Sequence, residues 1–193
     1  EEEVEAGAAP ALAGGARFWL VDPLDGTREF AAGREEFTVN VGLVADGRAR
    51  LGVVAVPATG ELFGGVVGAG AWKEDAAGLR RPIAARPPPE DGIVVLASRH
   101  HADDARLGPF LAGRRVARVV HIGSAVKFCR VAEGAADLYP RFGRTMEWDT
   151  AAPQAVLEAA GGTVRLIEGR GGALTYGKPR FENPSFVCQG AGP

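Results

Sequence analysis

Apolar residues fall along the chain in short runs, not in long helical stripes. Residues 18–21 form a compact apolar run, which predicts a buried strand. Asp22-Pro23 marks its expected end, because proline cannot donate to a ladder. Phe37, Val39, Val41 and Leu43 alternate with Thr38, Asn40 and Gly42, the period of two that defines a strand. Asp46-Gly47 is a hairpin signal. A second strand is expected over 51–56, a turn over 57–60 and a third strand over 62–67. The stretch from 37 to 67 therefore predicts an antiparallel meander. Residues 6–15 are small-residue filler and read as a loop.

Residues 80–91 are rich in Pro and Arg and include Pro87-Pro88-Pro89. A boundary between two lobes, 1–90 and 91–193, is placed there. Beyond it the pattern changes. Strands are expected over 93–97 and 116–122, with a poor helix over 102–112 broken at Gly108-Pro109. A helix is expected over 124–133, with Ser124 as N-cap and Gly134 as its stop. A short strand follows over 138–142. A second helix is expected over 150–160, capped by Asp149 and closed by Gly161-Gly162, with Pro153 near the end of its first turn. Late strands fall over 163–167 and 185–188. Strands alternating with helices predict a layered α/β second lobe behind an α+β first lobe.

Composition narrows the function classes. The chain has 193 residues, with Lys plus Arg at 22 and Asp plus Glu at 24. A net charge of -2 argues against a general polyanion-binding surface. No apolar run approaches ~20 residues, so no membrane span is expected. The first three residues are Glu1, Glu2 and Glu3, the opposite of a signal peptide's basic start. The two cysteines, Cys129 and Cys188, form neither a zinc pattern nor a disulfide framework, which fits a reducing cytoplasm. Loose attachment to a membrane surface is left open. The three histidines, His100, His101 and His121, show no metal spacing, and the first two read as loop or capping residues.

The segment that carries chemistry is Trp19-Leu20-Val21-Asp22-Pro23-Leu24-Asp25-Gly26-Thr27. An apolar strand delivers Asp22 to its end, and Asp25 follows in a turn that Gly26 tightens. Two carboxylates this close repel one another unless a cation sits between them. Oxygen-only ligands suit magnesium, which keeps waters and takes substrate phosphate as an additional ligand. Backbone N–H groups of Gly26 and Thr27 can hold phosphate, as anion-binding nests do. The competing reading is an ordinary Asp-Pro-x-Asp-Gly turn. Asp149, at the head of a predicted helix, offers a second carboxylate site. One of its oxygens can cap the helix while the other binds metal, although an ordinary N-cap would look the same in the sequence.

Asp22-Pro23-Leu24-Asp25-Gly26-Thr27 with the later Trp148-Asp149 resembles the two signatures of the inositol monophosphatase-like, magnesium-dependent, lithium-sensitive phosphatases. Residues 18–30, 36–40, 98–103, 122–128, 138–143 and 148–162 are most similar to the CysQ-type 3′(2′),5′-bisphosphate nucleotidase branch. The resemblance extends from Arg17 over nearly the whole remaining chain. It implies a layered α-β-α-β-α sandwich, and two or three Mg²⁺ ions as cofactors. It further implies that Glu1, Asp22, the Leu24 carbonyl, Asp25 and Asp149 bind metal, with Asp22 bridging two ions. Thr27 would help activate the attacking water, and Gly26-Thr27 would hold phosphate. Two cations about 4 Å apart polarise phosphoryl oxygens and lower the pKa of a bound water, so no Ser or Cys nucleophile is needed.

For substrate choice the resemblance points to the second lobe. Ser124 and Lys127 would lie beside a second phosphate. Arg141 could pair with phosphate, and Tyr139 could border base or sugar. The alternatives are a solvated Lys127 and plain packing roles for Tyr139 and Arg141. The implied reaction is removal of the 3′-phosphate from 3′-phosphoadenosine 5′-phosphate in the cytoplasm, by a monomer or homodimer. Nearest to it stand an inositol or sugar monophosphatase and a metal- and nucleotide-binding module impaired in turnover. The last follows from a departure: such enzymes usually carry further helices before the first Glu and a mobile loop whose acidic residue assists Thr27. A chain without them would expose a sheet face, favouring dimerisation or instability.

Overall fold

The computed structural model describes residues 16–99, 104–169 and 171–192. The loop expected over 6–15, the acidic Glu1–Glu3 run and the pair His100-His101 lie outside them.

Six strands run as one antiparallel meander: β1 (Arg17–Asp25), β2 (Thr38–Ala45), β3 (Arg48–Val56), β4 (Glu61–Val66), β5 (Gly70–Glu74) and β6 (Arg80–Ile83). The last two strands were not foreseen, and β6 lies in the Pro/Arg-rich stretch. Pro82 is tolerated because β6 is an edge strand.

β1 does not stop at Asp22. It passes through Pro23 to Asp25 by a bulge, with Asp22 paired to Asn40 and Asp25 paired to Thr38. Two residues, Pro23 and Leu24, face the single Val39. A regular strand would put residues three apart on opposite faces. The extra residue cancels that alternation and turns both aspartates to one face.

That face is the buried one. On β2 the set Thr38, Asn40, Gly42 and Val44 is buried, while Val39, Val41 and Leu43 are half-exposed. The reason is a helix. Gly42 pairs with Gly52 and Gly52 with Gly65, a glycine row across three strands. A Cβ at Gly52 would lie 1.9 Å from the Ala152 carbonyl oxygen, and one at Gly42 would lie 2.7 Å from the Ala152 nitrogen. The helix therefore rests directly on the sheet backbone.

The second sheet comprises β7 (Ile93–Ser98), β8 (Val116–Ile122), β9 (Leu138–Arg141), β11 (Thr163–Leu166) and β13 (Phe186–Gln189). Its strand order is β11-β13-β9-β7-β8. β7 is parallel to both neighbours, and the other pairs are antiparallel. A two-stranded ribbon, β10 (Thr145–Met146) with β12 (Glu182–Asn183), was also not foreseen.

The helices are α1 (Thr27–Ala31), α2 (Asp104–Leu111), α3 (Val126–Ala132) and α4 (Glu147–Ala159). α3 and α4 lie between the two sheets, and α2 covers the far side of the second. This is the layered α/β sandwich. Pro109 does not break α2, which runs through it. Ser124 is not the N-cap of α3. It stands two residues before the helix with φ 47°, and its Oγ accepts from Val126 N at 3.3 Å. Asp149 is not the N-cap of α4 but its third residue. Its carboxylate reaches back to accept from Met146 N at 2.7 Å. Pro153 consequently falls in the second turn, where it has no N–H to offer the helix ladder.

An ion cluster ties the first sheet to the end of α3. Arg130 pairs with Glu61 at 2.6 Å and Glu133 at 2.7 Å, and Lys73 pairs with the same two carboxylates. Both cations also lie over the Phe63 ring.

Candidate active site

Three backbone features converge at one end of the molecule: the bulged end of β1, the segment entering α3 and the first turn of α4. They bring together the carboxylates of Asp22, Asp25 and Asp149, which offer oxygens all within 4.8 Å of one another. Asp22 accepts from Leu24 N at 3.0 Å, which closes the turn at the bulge. Gly26 follows with φ 89°, a conformation that side chains disfavour. A Cβ there would also press on the Glu36 carbonyl oxygen at 3.0 Å and on Ser124. Thr27 begins α1 immediately after.

Asp25 is held from two sides. Ala125 N donates to its Oδ2 at 2.5 Å, and the Thr38 hydroxyl donates at 3.4 Å. Burial pushes the Asp25 carboxyl above its usual range, against the opposing pull of Lys127, the Ala125 N–H and Arg141. Lys127 is buried, which excludes the solvated reading. Its Nζ donates to the carbonyls of Ser124 at 2.6 Å and Ile122 at 3.2 Å and lies 5.1 Å from the Tyr139 ring centre. Burial lowers its pKa to about 8, with Asp25 opposing that shift and Arg141 adding to it. Arg141 is also buried, and its Nη2 donates to the Arg144 carbonyl at 3.0 Å. Tyr139 packs edge-on against Phe128 and Phe186.

One cavity of about 440 Å³ is lined by Asp22, Leu24, Asp25, Gly26, Thr27, Ser124, Lys127, Tyr139, Arg141 and Asp149. Every candidate site residue is thus brought to it except Glu1, which lies outside the described residues. Gly123, expected with Ser124 as a place for phosphate, also lines the cavity, and so do Glu29, Ser98 and Arg144, which the sequence reading did not single out as candidates. Thr38, behind it, was overlooked although it is a polar residue on the strand face that points inward.

The donor set fits a hard divalent cation. It is all oxygen, it is multiply charged, and its like charges are crowded at a partly buried point where they need a counter-charge. Lys127 and Arg141, with Arg28 and Arg144, place cationic residues in the lining of the same cavity. The same cavity thus combines carboxylates that could hold a cation with guanidinium and ammonium groups that could meet an anion.

Residues 1–190 match the family model of the inositol monophosphatase family. The 3′(2′),5′-bisphosphate nucleotidase CysQ of Escherichia coli K12 is 47% identical over 175 residues, covering 88% of this chain and 67% of that protein. The CysQ of Buchnera aphidicola is 41% identical over 174 residues, covering 89% of this chain and 63% of that protein. The chain thus spans about two thirds of the length of these curated relatives. Among solved structures, CysQ from Bacteroides thetaiotaomicron superposes with a TM-score of 0.81 at 36% identity, over 90% of this chain and 70% of that one. The inositol monophosphatase of Anabaena gives 0.75 at 27% identity, over 93% and 69%. With the matched family, the sandwich and the acidic cavity all in agreement, the chain belongs to the inositol monophosphatase family.

Proposed function

We propose that this chain forms the metal- and substrate-binding part of a magnesium-dependent 3′(2′),5′-bisphosphate nucleotidase. It would hydrolyse the 3′-phosphate of 3′-phosphoadenosine 5′-phosphate, giving AMP and phosphate. The carrying observation is that Asp22, Asp25 and Asp149 line one cavity together with Lys127 and Arg141.

Asp22, Leu24 through its carbonyl, Asp25 and Asp149 would hold two or three Mg²⁺ ions, with an acidic residue of the Glu1–Glu3 run as a further ligand. When bound, the cations neutralise phosphoryl charge and make water a better nucleophile. The other work falls to the chain. Thr27 orients the water. Gly26 and Thr27 offer backbone N–H groups to the departing phosphate. Water oxygen bonds to phosphorus, the bond from phosphorus to the ribose 3′ oxygen breaks, and that oxygen leaves with a proton. Lys127 and Arg141 hold the 5′-phosphate and so keep the ester in line. Residues 1–90 would supply most of the metal ligands, and 91–193 would supply the second-phosphate contacts together with the metal ligand Asp149.

No helix among the described residues is long and apolar enough to cross a membrane. We place the reaction in the cytoplasm.

The test is phosphate release by the chain extended to the full length of its relatives, with and without magnesium and lithium. Magnesium-dependent, lithium-sensitive release from the bisphosphate nucleotide is expected, faster than from inositol monophosphate. Equal rates would favour a monophosphatase, and no magnesium-dependent release would reject the proposal.

A further inference from the structure

Asn40 is the third residue of β2 and is fully buried. Both polar atoms of its amide, Oδ1 and Nδ2, lack a hydrogen-bond partner. Such groups are rare in folded proteins, and each needs an account. Removal from water costs the amide its hydrogen bonds and returns nothing.

Its surroundings locate it. The residue opposite on β1 is Asp22. Two positions earlier on the same face, Thr38 donates to the Asp25 carboxylate. Two positions later, Gly42 lies against Ala151 and Ala152 in the first turns of α4, the helix that carries Asp149. Asn40 therefore lies behind the three-carboxylate cluster, on the sheet side of it. Away from the carboxylates the inward positions are apolar: Val54 opposite on β3 and Val44 farther along β2 are both fully buried. Packing alone would accept an aliphatic residue at position 40.

We propose that Asn40 is a positioning residue for the cation site. Nδ2 of Asn40 donates to the Asp22 carboxylate once a divalent cation draws that carboxylate into place, and this fixes which oxygen faces the ion. Without a cation the donor has no partner. The amide thus lowers the stability of the metal-free protein and raises affinity for the metal. The inference rests on the proposed cation site.

The experiment compares Asn40→Val with Asn40→Thr, side chains of one shape that differ in a methyl against a donor hydroxyl. Magnesium affinity is measured by calorimetry, and denaturant midpoints are measured in chelator. Second-sphere donors typically contribute 10–100-fold in metal affinity. Asn40→Val is expected to bind magnesium at least about tenfold more weakly than wild type, with Asn40→Thr within about threefold of it. The metal-free midpoint of Asn40→Val should match or exceed wild type. Equal affinities in all three proteins would overturn the proposal. So would equal losses in both variants, or a lowered metal-free midpoint with affinity intact. Should Asn40→Val not fold, Asn40→Ala against Asn40→Thr carries the same comparison. Absence of magnesium binding in wild type would instead strike the cation reading itself.

Discussion

Asp25→Asn separates a catalytic ligand from a structural turn residue. The carboxylate has two duties: it is one of three oxygen donors within 4.8 Å of one another, and it accepts from Ala125 N at 2.5 Å and from Thr38. An asparagine carbonyl can keep the Ala125 bond, but as a neutral one. The exchange of a charge-assisted bond for a neutral one costs about 1 kcal/mol. An opposite term offsets it. Burial raises the Asp25 pKa, so above the unfolded value the metal-free fold holds this group in a place that disfavours its charged form. The instability enters as pH rises through the unfolded value of 3.8 and is complete above the raised folded value. A neutral amide removes it. The metal-free variant should therefore melt within roughly 4 °C of wild type, since about 1 kcal/mol moves Tm by 2–4 °C at this size. Magnesium should raise the Tm of wild type, by the equivalent of about 2.7 kcal/mol at a hundredfold excess over Kd, and leave the variant nearly unmoved. Cation stabilisation of the transition state amounts to several kcal/mol, so kcat should fall by about 10³ or more. Melting in chelator and in magnesium, with turnover on the bisphosphate, reads all three. A variant that loses more than about 2 kcal/mol in chelator, with activity falling only as its folded fraction falls, would make Asp25 a structural residue.

Two further outcomes follow from charges that the fold buries. Lys127→Ala should raise KM for the bisphosphate nucleotide by about 10–100-fold, the worth of one charge-assisted bond. It should change kcat/KM on a monophosphate far less, and equal losses on both substrates would remove Lys127 from recognition. Glu61 is held at a pKa of about 2, first by its hydrogen bonds from Arg130, against desolvation, and then by Lys73. A depressed carboxyl stabilises the fold above its unfolded value of 4.5, and that stability is lost as pH falls towards 2. The shift sets a ceiling of about 3 kcal/mol, which solvent reaching the cluster reduces to about 2 kcal/mol. Denaturant midpoints from pH 6 down to about 2 should therefore fall more steeply for wild type than for Glu61→Gln, and parallel curves would contradict the assignment.

Much of this arrangement was legible in the residues. The Asp22–Thr27 motif and Asp149 mark the carboxylates, and alternation marks β2 and β3. What was not legible depends on tertiary context. Pro23 read as a strand end, because nothing local says that a bulge will carry the ladder on to Asp25. Asp149 read as an N-cap, because Asp is the usual cap. Only the position of Met146 N shows that the carboxylate reaches back from inside the first turn. Ser124 read as a cap for the same reason, whereas the Ala125 N–H goes to Asp25, a hundred residues away in sequence. The period of two on β2 identifies a strand but not which face is buried. The hydrophobic scale favours Val39, Val41 and Leu43, and the structure buries Thr38, Asn40 and Gly42. β5 and β6 escaped notice because they are short and sit among turn residues.

The reversed face of β2 has a cause that reaches the chemistry. α4 carries Asp149 on its first turn, while Asp22 and Asp25 sit on β1, so the separation of helix and sheet sets the separation of the ligands. Side chains at positions 42, 52 and 65 would hold the helix off the sheet. Glycine at all three lets Ala152 and Val156 touch strand backbone instead. With a methyl at position 52, the Ala152 carbonyl, 1.9 Å away, would have to move, and Asp149 lies only three residues upstream on the same rigid helix. Displacements near 1 Å cost about 10²-fold where reacting groups must align. The glycine row therefore belongs to the proposed cation site as much as the aspartates do, because it sets how closely Asp149 approaches Asp22 and Asp25.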